Sequence, residues 1–237
     1  MKVELTRITK DPILAIEEAA SNCYDSKPTS DGKIMKHCIK SGHTSVTEFC
    51  DFTFHIEGIS RALSHQLVRH RIASYAQRSQ RYCNEANFNY VTPKSIVNNK
   101  EAQEKYDKFM YQCGQLYVDL GKYGISDEDA RMLLPNACET QIEVKMNLRT
   151  LMNFMNERLC TCAWWEAREM AQLMKKAVLE VMPEVEPYLV PKCEKYGKEF
   201  GFCIETKQRR EALKCKRHPR LAEIFEDYHN YNNMKEN

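Results

Sequence analysis

The sequence predicts an α+β fold, with a central, mostly antiparallel sheet flanked by several helices in a single domain. Three observations carry this reading. Residues 49–57 alternate, with Phe52, Phe54 and Ile56 set against Thr53, His55 and Glu57, the period of a strand with one buried face. Thr140, Ile142, Val144 and Met146 repeat the pattern. Around both runs lie longer stretches with apolar residues three and four apart, the period of helices that bury one stripe. Few strands, mostly separated by helices, suit one sheet covered by helices.

Taken in order, Asp11-Pro12 opens a helix, with Asp as N-cap and Pro at the first helical position, running through Ile13, Leu14 and Ile16 to about Cys23. Residues 27–31 read as a turn. A short helix with Ile34, Met35, Cys38 and Ile39 follows and stops at Gly42. After the first strand, Ser60 caps a helix whose buried face is Ile59, Leu63 and Leu67. Phe88 to Val91 reads as a short strand closed by Pro93, and a long helix is expected from about Lys100 to Leu120. Ser126 to Asp129 resembles a capping box for a short helix that ends before Pro135. Asn147 caps the helix bearing Leu148, Leu151, Met152 and Met155. A last helix from about Trp164 to Met182 ends at Pro183, with Trp164 and Trp165 expected to anchor it in the core. The domain is placed at 1–190, and 191–237 is read as a polar, basic, loosely attached tail with one helix.

Composition narrows the function classes. A formal net charge of +2 gives no bulk attraction to nucleic acid. No apolar run approaches the roughly 20 residues that cross a bilayer, and MKVELTRITKDP lacks a secretory core, so the expectation is a cytoplasmic protein with no membrane partner. The eleven cysteines are read as reduced thiols. Cys160 and Cys162 stand as CxC with no second pair at zinc-site spacing, so no metal site is assigned.

The densest polar stretch is QLVRHRIASYAQRSQRY, residues 66–82. Its guanidiniums emerge from the end of an anchored helix and suit phosphates, carboxylates or a polar heterocycle. No GxGxxG or GxxxxGK[ST] is present, so phosphate recognition falls to arginines. A basic footprint for RNA or DNA, using this stretch together with residues 207–217, is the competing reading. The near-neutral charge and the lack of an RRM or KH pattern weigh against it.

Arg69-His70-Arg71 followed after seven residues by Ser79 resembles the signature of the flavin-dependent thymidylate synthases. Further segments recur in the family's order: Ser41-Gly42-His43, Phe52-Thr53-Phe54-His55, Ala130 to Pro135, Asn147-Leu148-Arg149 with Leu151 to Phe154, and Glu157-Arg158 through Trp165-Glu166. The resemblance covers roughly residues 10–190. It implies reductive methylation of dUMP to dTMP, with methylenetetrahydrofolate as carbon donor, FAD as mediator and NADPH as reductant. It also implies a homotetramer with sites at subunit interfaces.

Carried over by position, the resemblance assigns Ser45, Arg69, His70, Arg71, Gln77, Asn147, Arg149 and Asn153 to FAD. It assigns Gln66, Leu67, Val68, Arg69, Gln77, Arg78, Ser79, Gln80, Arg81, Arg131 and Arg158 to the nucleotide. Arg158 matches the residue credited with favouring the N3-ionised uracil. Ser79 is read as positioning, since no His or Lys adjoins it to act as base. His43 is left between a structural cap and a role near the folate or nicotinamide side, and His55 is expected to be packed or hydrogen-bonded. Tyr75 is left between stacking on a flat ligand and packing within the motif. This chain departs from the family at Ala76-Gln77, where Asn-Glu is common, and at Cys162, where some members carry histidine.

Overall fold

The computed structural model describes residues 1–195 and 201–227. Its elements are β1 (Lys2–Ile8), α1 (Pro12–Tyr24), α2 (Lys33–Lys40), a 3-10 turn (Thr44–Phe49), β2 (Asp51–Ser60), α3 (Arg61–Leu67), β3 (Ser74–Gln77) and α4 (Lys94–Val97). The chain continues with α5 (Lys100–Lys122), α6 (Asp127–Ala130), β4 (Glu139–Asn147), α7 (Leu148–Arg158), α8 (Trp165–Leu179) and α9 (Lys207–Ala212). The sheet is four-stranded and antiparallel, in the order β1–β2–β4–β3, as the α+β reading requires.

Two compact units divide the chain: residues 1–6 with 53–145, and residues 7–52 with the chain from 146 onward. In the first, β2 turns Phe54 and Ile56 inward and β4 turns Thr140, Ile142 and Val144 inward. Leu63 and Leu67 of α3 and Met110, Cys113 and Tyr117 of α5 are buried with them. In the second unit, α7 buries Leu148, Leu151, Phe154 and Met155, and α8 buries Ala167, Met170, Ala171, Met174 and Val178. Each fully buried side chain of this size contributes about 1.5–3 kcal/mol of transfer free energy. Glu17 is buried in α1, where its carboxylate accepts the N–H groups of Thr29, Ser30 and Ile34 at 3.0, 2.6 and 3.2 Å and so pins the 29–34 turn.

The caps at Ser60 and Asn147 form as expected: Ser60 Oγ accepts the Leu63 N–H at 3.0 Å, and Asn147 Oδ1 accepts the Thr150 N–H at 2.9 Å. Other expectations are corrected. Asp11 precedes α1 in the left-handed region (φ 46°) and makes no side-chain cap, so Pro12 alone marks that start. The Ser126 hydroxyl meets Asp129 Oδ2 at 3.3 Å rather than capping a backbone N–H. Residues 88–91 form no strand, only a single bridge between Tyr90 and Cys138. Two strands had no reading: β1, whose alternation is diluted by charged residues, and β3, which lies inside the arginine-rich stretch. β3 pairs with β4 in the register Ser74↔Lys145 to Gln77↔Ile142, so this stretch does join the fold. Trp164 and Trp165 are half-buried and meet edge to face at 5.9 Å at the start of α8, rather than filling the core.

Of residues 191–237, those at 196–200 and 228–237 lie outside the described residues. The loosely attached reading is corrected for the rest. Arg209 Nη2 donates to the Cys162 carbonyl at 3.0 Å, Lys192 pairs with Glu205 at 2.6 Å, and Arg210 Nη2 donates to the His218 carbonyl at 2.6 Å. Besides α9, residues 221–227 are helical.

Candidate functional site

In the first unit, the arginine motif is the turn between α3 and β3. Leu67 is buried, and Gln66 and Val68 finish the helix. Tyr75 Oη lies 3.0 Å from the Leu67 carbonyl and 2.7 Å from the His70 carbonyl, so one phenol bridges both ends of the turn. Burial pushes this phenol up to about 12, which keeps it a donor. Tyr75 is therefore tied into the motif through its hydroxyl. Arg69 and Arg71 are exposed, and no carboxylate pairs with either among the described residues. Their cationic heads also suit the carbonyl end of α3.

Past β3 the arginines are engaged. Arg78 Nε pairs with buried Glu85 at 3.2 Å, and its carbonyl accepts Arg61 Nη2 at 2.7 Å. Burial lowers the Arg61 guanidinium from its ordinary value, and the neighbouring Arg131 and Arg78 add to that, which marks a concentrated positive region. Arg81 Nε meets Glu128 at 2.9 Å, and Arg131 Nε donates to the Glu128 carbonyl at 3.0 Å. Two arginines fifty residues apart in sequence thus converge on one residue. Ser79 Oγ accepts the Arg81 N–H at 3.1 Å, a turn contact that supports its positioning role. Gln77 Nε2 donates to Ser64 Oγ at 2.8 Å and Thr140 Oγ1 at 3.3 Å, which fixes the side chain through uncharged partners. Gln80 Nε2 reaches Cys138 Sγ at 3.5 Å. His55 Nδ1 meets Glu143 Oε1 at 2.7 Å, the hydrogen-bonded histidine anticipated for this strand.

In the second unit, Arg149 and Asn153 stand one helical turn apart on the exposed face of α7. Arg149 Nη1 reaches Glu48 Oε1 at 2.6 Å, which ties α7 to the 3-10 turn that carries exposed Ser45. Asn147 spends its side-chain oxygen on the cap. Arg158 is the last residue of α7. His43 precedes the 3-10 turn, is exposed and makes no side-chain cap.

Sequence reasoning missed Glu128, Glu85, Glu48 and Arg61, the residues that hold the ligand-type arginines. Glu48, Glu128 and Arg61 act on Arg149, Arg81 and Arg78, partners distant in sequence, and Glu85 is marked only by its burial beside Arg78. An open polar groove of about 550 Å³ in the first unit is lined by Arg78, Glu85, Asn87, Asn89 and Gln141 among others, and Arg78 alone of the assigned residues borders it.

The chain is similar to known proteins over most of its length. Residues 4–184 match the sequence profile of the family described as thymidylate synthase complementing protein. A flavin-dependent thymidylate synthase of Nitratidesulfovibrio vulgaris is 38% identical over 241 residues, 92% of this chain and 95% of that protein. One of Clostridium tetani is 41% identical over 253 residues, 95% of this chain and 97% of that protein. A crystal structure of the flavin-dependent thymidylate synthase from Helicobacter pylori, complexed with FAD and dUMP, superposes with a TM-score of 0.64 at 26% identity, covering 81% of this chain and 99% of the other.

Proposed function

Because the chain belongs to the flavin-dependent thymidylate synthase family, we propose that it makes dTMP from dUMP by reductive methylation, as an FAD-dependent transferase of nucleotide biosynthesis. When bound, FAD supplies hydride and one-carbon transfer chemistry that no side chain offers; methylenetetrahydrofolate is the carbon donor and NADPH the reductant. The observation that carries the reading is the state of the arginines. Among the described residues Arg69 and Arg71 have no carboxylate partner, on a turn locked by Tyr75, whereas Arg78, Arg81 and Arg149 are all paired. A chain with no glycine-rich cradle needs such free guanidiniums to bind a pyrophosphate.

On this reading His70, Gln77, Ser45, Asn147, Arg149 and Asn153 complete the FAD site. Gln66, Val68, Arg78, Ser79, Gln80, Arg81 and Arg131 hold dUMP, with Leu67 contributing through the backbone. Arg81 and Arg131 offer two guanidiniums to one phosphate, which would displace the Glu128 carboxylate. Arg158 keeps its proton and stabilises negative charge on the uracil, which raises its nucleophilicity at C5. The catalytic region is residues 1–190. The functional unit is a homotetramer in the cytoplasm, its partners small molecules and neither nucleic acid nor membrane. Exposed Ile72, Tyr82 and Met132, at 75, 78 and 84% exposure beside assigned residues, support a subunit interface. Among the described residues no helix is long and apolar enough to cross a membrane.

The test is a flavin absorbance spectrum with a dUMP titration. The purified protein should be yellow, oxidise NADPH faster with dUMP, and form dTMP only with methylenetetrahydrofolate. A colourless protein without flavin affinity would overturn the proposal.

A further inference from the structure

Five of the eleven cysteines meet in one place, and the flavin reading uses none of them. Cys160 and Cys162 from the α7–α8 connection, Cys193, Cys203, Cys215 and His218 line a small enclosed cavity of about 10 Å³. That is room for a single water or ion. The sulfurs of Cys160 and Cys162 and a Glu205 carboxylate oxygen lie within 4.8 Å of one another, as do ligand atoms of Cys193, Glu194 and His218.

The carboxylates near the cavity are already engaged. Glu205 is held by Lys192 at 2.6 Å and Arg209 at 3.4 Å, and Glu194 by Arg217 at 3.1 Å and His218 at 3.4 Å. That leaves the sulfurs as the donors, a soft set that selects zinc over magnesium or calcium. One sulfur carries a further mark of a ligand. Cys160 Sγ accepts the N–H of Cys162 at 3.4 Å. A backbone donor two residues downstream orients a thiolate and spreads its charge, as supporting hydrogen bonds do around metal ligands.

We propose that this cavity binds one Zn²⁺ ion through Cys160, Cys193, Cys203 and Cys215, one thiolate from each of the four chain segments that enclose it. Each ligand loses its proton to solvent on binding, so four protons leave per ion. The completed site carries two negative charges, which the surrounding Arg209, Arg210, Arg217 and Lys192 offset. With four protein ligands no coordination position is left for substrate, so the ion is structural. It clips the 203–218 segment to Cys160, two residues after Arg158. The backbone is built for close approach: a Cβ on Gly201 would collide with the His218 ring, and Cys203 is bridged to Arg220 in parallel.

The site stands apart from flavin chemistry and is tested without it. The full-length protein, incubated with Zn²⁺ and gel-filtered, should carry one zinc per chain by elemental analysis. Cys160→Ser with Cys193→Ser, and separately Cys203→Ser with Cys215→Ser, should each drop it to near zero while the flavin spectrum persists. Cys23→Ser with Cys113→Ser should leave it at one. Should the double variants fail to fold, Co²⁺ loading of the unaltered chain decides: a tetrahedral visible spectrum with thiolate-to-cobalt charge transfer supports the site. Absence of bound metal, full retention in either cluster variant, or disulfides among the four cysteines in protein purified under reducing conditions would overturn it.

Discussion

The arginine turn between α3 and β3 and the cysteine cluster beyond α7 are opposites in construction. The turn draws its polar groups from one continuous stretch, exposes its charges, and is held by a single phenol spanning two carbonyls. The cluster gathers its sulfurs from four segments spread over more than fifty residues and encloses them. A ligand that arrives and leaves is served by accessible charges on a stiff support. A permanent ion is served by enclosure, because desolvated thiols have little to gain until a cation joins them. Burial pushes the Cys162 and Cys193 thiols up to about 11, the price of that enclosure without a metal.

The comparison breaks most sharply at Arg158, which belongs to neither region and precedes Cys160 by two residues in sequence. Arg158→Lys should keep FAD and zinc but lose about 10²–10³-fold in turnover, since a point charge cannot replace a planar donor at developing charge. Unchanged dTMP formation in that variant would remove Arg158 from the chemistry. Next in size is the double change Arg69→Ala with Arg71→Ala. Each charge-assisted hydrogen bond is worth about 1.5–3 kcal/mol, so FAD affinity should fall about 10²-fold or more. The zinc content should not move; loss of both would mean the two regions are not separable.

Tyr75→Phe sharpens the role of the support. It removes the donor shared by Leu67 and His70, costing about 1–3 kcal/mol, seen as a lower Tm and weaker flavin binding with every arginine intact. Asn147→Ala should cost about 1 kcal/mol through the α7 cap, and Ser60→Ala a similar amount through α3, read by denaturant midpoint. The smallest effect is at Glu205, whose carboxyl is held below its ordinary 4.5 chiefly by the Lys192 hydrogen bond. A depressed carboxyl stabilises above its unfolded value and loses that contribution as pH falls through the folded one. Proteolysis of residues 201–227 should therefore increase below about pH 4.5 in unaltered protein and change less in Glu205→Gln.

Several elements could be read in advance because their causes are local. The alternation in β2 and β4, the caps at Ser60 and Asn147 and the long apolar stripe of α5 need no partner to be recognised. β3 escaped notice because Ser74 to Gln77 carry no apolar alternation; the edge of β4 makes them a strand. Phe88 to Val91 had strand composition but only one bridge to satisfy it. The α1 start shows the same limit, since Asp11 has the right identity in a left-handed conformation that denies it the cap.

The amino-acid order alone determined the fold class, the family and the arginine-rich stretch that the family's motif singles out. Periodicity and motif spacing are properties of neighbouring residues, and backbone geometry translates them directly into helices, strands and turns. Only the tertiary structure decided which arginines are held by Glu48, Glu85 and Glu128, and which have no carboxylate among the described residues. It alone brought Cys160 together with Cys193, Cys203 and Cys215. Pairing and coordination depend on distance in space, and packing brings together residues that sequence separation keeps apart.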